Sequence, residues 1–136
     1  MVKSETPELE ITSDEEIERL GMEIALKYEK EQGREPEDVS RENLGFDIRS
    51  KGREETRYIE VKARKGEGQV ALTPNEWFKA KRFKGQYWLY VVANATTKPE
   101  LYIINNPAEN LNAQERVEVV RFLIPVEEWK NKATKV

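Results

Sequence analysis

Seven consecutive residues, Tyr87-Trp88-Leu89-Tyr90-Val91-Val92-Ala93, are apolar without a break. Successive side chains of a β-strand point to opposite faces. A strand with one wet face therefore alternates, and this run does not. It reads as a strand covered on both faces, the interior of a sheet with layers packed above and below it.

The flanking sequence supplies those layers. Ser13-Asp14-Glu15-Glu16 is a capping-box signal, with a hydroxyl at the N-cap and a glutamate three residues on. It predicts a helix over 14–32 with Ile17, Leu20, Gly21, Ile24 and Tyr28 on its buried stripe and Gly33 as its stop. Thr73-Pro74-Asn75-Glu76 is a second capping box with proline at the first helical position, opening a basic, aromatic helix to about residue 83. Residues 34–43, with Pro36 inside, read as a connection. Strands are expected over 44–50 and 57–64, joined as a hairpin, and over 69–72, 101–105 and 117–124, with a short closing helix from Pro125 to Trp129. The order α-β-β-β-α-β followed by further strands predicts an α/β fold, a mixed central sheet flanked by helices. At 136 residues the length suits one domain. We expect a polar lead-in over 1–12 and a single domain over 13–136.

Two absences narrow the chemistry. The chain has no cysteine and no histidine, so it has no disulfide, thiolate zinc site, cysteine nucleophile, Ser-His-Asp triad or histidine base. Hydrolysis would have to come from carboxylates, lysine, hydroxyls or a hard cation bound by oxygen. The N-terminus lacks the apolar segment of a signal peptide, and no apolar run is long enough to span a membrane, so a cytoplasmic location is expected. Charge is uneven along the chain. Residues 1–46 carry 14 acidic against 6 basic side chains, and residues 47–85 carry 6 against 11. A basic stretch suits a polyanionic partner; the alternative is a solvated surface with uneven charge.

The basic stretch also holds the most suggestive chemistry. Gly45-Phe46-Asp47 is followed, thirteen residues after the aspartate, by Glu60 in Ile59-Glu60-Val61-Lys62. On a strand, Glu60 and Lys62 share a face about 7 Å apart, while Ile59, Val61 and Ala63 face a core. Charges inside an otherwise apolar strand are costly to bury. An acidic residue followed by Glu-x-Lys is the arrangement by which metal-dependent nucleases hold a divalent cation. Two carboxylates about 5 Å apart would repel by ~3 kcal/mol at an effective dielectric near 20, and a cation would relieve this. The structural alternative is a hairpin carrying Lys62 in a salt bridge.

The element order with this Asp and Glu-x-Lys resembles the restriction-endonuclease-like, or PD-(D/E)XK, superfamily. Phe46 stands where that signature has proline. A longer set of blocks, Gly45-Phe46-Asp47-Ile48-Arg49-Ser50, Arg57-Tyr58-Ile59-Glu60-Val61-Lys62, Leu72-Thr73-Pro74-Asn75-Glu76-Trp77 and Tyr87-Trp88-Leu89-Tyr90-Val91-Val92, is similar to the NO VEIN C-terminal domain family over about residues 14–106. The resemblance implies a nuclease-like fold, often attached to helicase or ATPase modules. Under it, Asp47 and Glu60 would bind Mg²⁺, for which Mn²⁺ can substitute. Lys62 would neutralise the attacked phosphate and help position the attacking water. Glu23, at the edge of the first helix's buried stripe, would complete the acidic set; the alternative is a solvated glutamate.

Lys79, Lys81, Arg82 and Lys84 would contact phosphates, or else form a solubilising outer face. Gln69 is a candidate polar neighbour of the site, or a strand residue beside a turn. Asn75 stays open, and the capping box accounts for Glu76 structurally. The expected function is a Mg²⁺-dependent DNA phosphodiesterase of a helicase-linked defence or repair system. Many enzymes of this fold cut as homodimers, although no residue here argues for an interface. The rivals are a nucleic-acid-binding or helicase-docking module without turnover, and a purely structural accessory domain.

Overall fold

The computed structural model describes residues 13–116 and 121–136. Helix α1 (Asp14–Glu31) begins where the first capping box places it: the Glu16 amide donates to Ser13 Oγ at 3.1 Å and the Ser13 amide to Glu16 Oε1 at 3.4 Å. Strands β1 (Glu35–Asp38), β2 (Ile48–Lys51), β3 (Thr56–Ala63) and β4 (Val70–Leu72) follow, then helix α2 (Pro74–Phe83). After α2 come β5 (Tyr87–Ala93), β6 (Glu100–Asn105), the short α3 (Pro107–Asn110), β7 (Gln114–Arg116), β8 (Arg121–Ile124), α4 (Val126–Lys132) and β9 (Thr134–Lys135).

Six strands form one mixed sheet in the order β1-β2-β3-β5-β6-β9, with β3 and β5 parallel and the other neighbours antiparallel. The apolar run is β5, and it is interior as expected. Tyr90 and Val92 join a core beneath α1 with Ile17, Ala25, Ile48 and Ile59, while Leu89, Val91 and Ala93 join a second core with Leu72, Ile104, Ile124 and Trp129. The α/β class, the mixed sheet and the flanking helices are thus as the sequence predicted.

Three elements depart from expectation. The connection over 34–43 contains β1, an edge strand that tolerates Pro36 because an edge needs fewer ladder donors. The strand expected over 44–50 starts only at Ile48, since Gly45 has φ +88 and breaks the extended path. Strand β4 leaves the central sheet and joins a separate three-stranded sheet in the order β4-β8-β7. The expected lead-in over 1–12 and the first half of the strand over 117–124 lie outside the described residues. Among the described residues no helix is long and apolar enough to cross a membrane.

The stripe of α1 also shifts. Its fully buried positions are Ile17, Gly21, Ala25 and Glu29, with Leu20, Ile24 and Tyr28 half-buried. The cause is close approach: a Cβ at Gly21 would lie 2.6 Å from the Ala63 Cβ on β3. Small residues therefore occupy the centre of the contact and large ones flank it. This packs Val61 and Ala63 against α1 and turns Glu60 and Lys62 to the opposite face of β3.

Candidate active site

Asp47 sits immediately before β2, and three hydrogen bonds fix it against neighbouring chain. Its amide donates to Ile59 O at 2.8 Å, its carbonyl accepts from the Val39 amide at 2.8 Å, and its Oδ2 accepts from the Val61 amide at 2.9 Å. The approach to Asp47 is held by Tyr87 at the start of β5, whose hydroxyl donates to Gly45 O at 2.7 Å. Gly45 is required there. Besides its positive φ, a Cβ would meet Lys79 Cγ at 2.4 Å and Asn75 O at 3.1 Å.

Glu60 and Lys62 come from β3. Glu60 is 3% exposed, and its Oε2 lies 3.2 Å from Lys62 Nζ. The second partner of Lys62 is Glu76, at the first turn of α2, 3.0 Å from the ammonium through Oε1. That same oxygen accepts the Thr73 amide at 2.9 Å, while the Glu76 amide donates to Thr73 Oγ1 at 3.2 Å. The capping box is therefore complete, and its glutamate also belongs to the site.

The cluster sets three carboxylates around one ammonium. Burial, followed by the charges of Asp47 and Glu76, raises the Glu60 pKa well above the usual carboxylate value, although Lys62 pulls it down. Burial likewise raises Asp47 against the Val61 amide, the Glu60 side chain and Lys62, which lower it. Burial disfavours the charge on Lys62, but Glu60 and Glu76 more than offset this, and its pKa is raised. Burial and the same three carboxylates hold the Tyr87 hydroxyl well above its ordinary value, so it is neutral. Glu60 Oε1 is buried and accepts no hydrogen bond.

A cleft of about 760 Å³ opens onto Asp47, Glu60, Lys62 and Glu76. Its walls include Glu18 and Arg19 of α1, Arg41 from the turn after β1, and Arg64 beyond β3. The fold thus brings Asp47, Glu60 and Lys62 to one cleft. It leaves Glu23 on the outer side of α1, paired to Arg19 at 2.8 Å and away from the cleft. Helical spacing explains the difference: Glu18 and Met22 face the cleft and Glu23 has rotated past it.

Gln69 is exposed before β4 and does not line the cleft. Asn75 is exposed, with Nδ2 3.5 Å from Asn43 O. Lys79, Lys81, Arg82 and Lys84 are outside the cleft as well. Lys79 is half-buried, its Nζ 5.6 Å from the Phe83 ring centroid, and the other three are exposed. The site residue that sequence reasoning underread is Glu76, because its capping role was a sufficient explanation by itself. Arg41 and Arg64 carried no local signal, since only the fold brings them to one cleft.

The sequence model of the family described as Protein NO VEIN, C-terminal, matches residues 17–104 of the chain. That span holds all but the first three residues of α1, the first five strands of the chain, α2 and nearly all of β6, with every residue of the acidic cluster. No curated protein matches the chain.

Proposed function

The chain belongs to the NO VEIN C-terminal family, and from that premise we propose that it is a divalent-metal-dependent phosphodiesterase acting on DNA. The observation that carries the reading is the pairing of Asp47 with a buried glutamate, Glu60, whose Oε1 has no donor, beside Lys62 at the base of an open cleft. Buried polar atoms are normally satisfied, and an acceptor without a donor is suited to a cation. The donor set contains only oxygen, which fits a hard ion such as Mg²⁺ or Mn²⁺.

Among the described residues no group of three or more His, Cys, Asp or Glu side chains is arranged to hold a metal ion. Asp47 and Glu60 would therefore be the protein ligands, with water and substrate oxygens supplying the rest. Mg²⁺ commonly binds through one or two carboxylates in this way. When bound, the cation would stabilise charge on the phosphate and lower the pKa of an attacking water.

The remaining work falls to the chain's own groups. Hydrolysis forms a bond between the water oxygen and phosphorus, breaks one P–O ester bond, and moves a proton from the water to the leaving oxygen. Lys62, whose side chain is 23% exposed, presents an ammonium to the cleft where charge develops on the phosphate oxygens. Arg41 and Arg64 along the cleft walls would contact the flanking phosphates and hold the strand in register. The family resemblance adds a helicase or ATPase module, in cis or in trans, as the partner delivering substrate in defence or repair.

A second reading is favoured by one observation: Lys62 is already paired with two carboxylates, Glu60 and Glu76. A closed ion-pair cluster suits a nucleic-acid-binding or docking module without turnover. The test is nicking of supercoiled DNA under Mg²⁺ by the wild-type chain and by Asp47→Asn. The nuclease predicts metal-dependent nicking lost in the variant. The binding module predicts no nicking and salt-sensitive duplex affinity that is the same in both proteins.

A further inference from the structure

Glu76 is bonded on two sides by groups that have no other reason to meet. Its Oε1 accepts the Thr73 amide at 2.9 Å and stands 3.0 Å from Lys62 Nζ. Thr73 and Glu76 fasten the first turn of α2 to itself, and Lys62 lies on β3 of the central sheet. A lysine side chain has four rotatable bonds and sweeps a large volume when only one partner holds it. Glu60 alone leaves that freedom, because it sits on the same strand and shares the face of Lys62. A second carboxylate from another element fixes the ammonium by triangulation, at 3.2 Å from one and 3.0 Å from the other.

The helix start thus has a purpose beyond ending the backbone's unpaired donors. The cap locks the rotamer of Glu76, and the locked carboxylate sets where Lys62 can be. We infer that Glu76 is a positioning residue for Lys62, using its capping geometry to hold the ammonium at the point in the cleft where a substrate phosphate is neutralised. This deepens the nuclease reading and rests on it for its kinetic consequence, but the geometric claim stands by itself.

The chemistry of capping boxes provides a clean separation of the two roles. Glutamine serves the box as well as glutamate does, so Glu76→Gln keeps the helix start while removing the charge that anchors Lys62. Thr73→Ala does the reverse: it removes the hydroxyl half of the box and leaves the Glu76 carboxylate facing Lys62. Three measurements on each variant of the 136-residue chain decide the matter: kcat and KM on plasmid DNA with Mg²⁺, the melting midpoint, and the ¹⁵N NMR signal of the Lys62 ammonium, which is observable only while that group is held.

Glu76→Gln is expected to lower kcat about tenfold, the difference between a charged and a neutral hydrogen bond, with KM within about twofold, an unshifted midpoint and a broadened Lys62 signal. Thr73→Ala is expected to lower the midpoint by about 4 °C while keeping kcat and the signal. Equal kcat in Glu76→Gln and wild type, or losses that track the midpoint in both variants, would overturn the inference. Should the wild-type chain cut nothing, the nuclease reading fails and the NMR signal still decides the positioning: lost in Glu76→Gln alone, it upholds the anchor; retained there, it overturns it.

Discussion

Asp47 Oδ2 accepts the amide of Val61 at 2.9 Å, and Val61 is the residue between Glu60 and Lys62. One hydrogen bond thus ties the carboxylate that precedes β2 to the part of β3 that carries the other two groups. Alternation on β3 sends Val61 toward α1 and its neighbours Glu60 and Lys62 to the other face, and all three border the cleft. The relative placement of the three groups follows from strand pairing and does not depend on any flexible loop.

Glu60 is a source of instability in the folded chain. Its pKa is raised from 4.5 in the folded state, burial being the main cause. Between that unfolded value and the higher folded one, the native state binds more protons than the unfolded chain, so stability falls as pH rises. Glu60→Gln should flatten that fall and stabilise the chain at neutral pH by roughly 1–2 kcal/mol, the usual scale of gain on relieving a functional site. Lys62 keeps Glu76 as its partner in the variant. Urea melts of both proteins with EDTA at several pH values check this.

Glu29 makes the opposite contribution. It is fully buried beneath β5, where Arg34 Nη2 donates to its Oε2 at 3.0 Å and the Tyr90 hydroxyl donates to the same oxygen. Burial alone would raise its pKa, but hydrogen bonds from Arg34 and Tyr90, with the Arg34 charge, outweigh this and lower it. Its stability is therefore present above about 4.5 and lost as pH falls through the lower folded value. Glu29→Ala, which leaves a largely buried Arg34 with only the half-exposed Glu55, 3.6 Å away, should cost about 3 kcal/mol. Tyr90→Phe should cost about 1–3 kcal/mol. Denaturant midpoints measure both.

Gly45 positions Asp47 through its backbone. An alanine there meets a disfavoured φ of +88 and two close contacts, Lys79 Cγ and Asn75 O. Gly45→Ala should destabilise by about 1–3 kcal/mol and weaken Mn²⁺ binding measured by calorimetry. Gly66→Ala, where a Cβ meets nothing within 4 Å, should leave both unchanged.

Lys84 holds a backbone conformation, φ 52 and ψ −119, that an L residue adopts under strain. Glycine would relieve it by about 1 kcal/mol. If Lys84 is retained for a phosphate contact, Lys84→Gly should raise the melting midpoint and lower the salt slope of DNA binding by about one ion. Fluorescence anisotropy at several salt concentrations reports the second effect.

The elements were legible where a local rule acts alone. Both capping boxes start helices at the expected residue, and the unbroken run at Tyr87–Ala93 marks the interior strand. Glu60 and Lys62 stood out because charge on an apolar strand contradicts its surroundings. What escaped depended on tertiary contact. Glu29 reads as one more solvated helix glutamate until Arg34 and Tyr90 close on it. Glu76 satisfied one rule so fully that its second partner, Lys62, went unread. The shift of the α1 stripe follows from its close approach to Ala63, which periodicity does not encode.

The most direct measurement is a cleavage time course on supercoiled, linear and single-stranded DNA with Mg²⁺, Mn²⁺ or EDTA, for the wild-type chain beside Lys62→Ala. The account predicts cutting by the wild type with either metal, none with EDTA, and a loss of at least about a hundredfold in Lys62→Ala while the variant stays folded and binds DNA. Equal cutting by Lys62→Ala, or no cutting of any substrate by a folded wild-type chain, would contradict it.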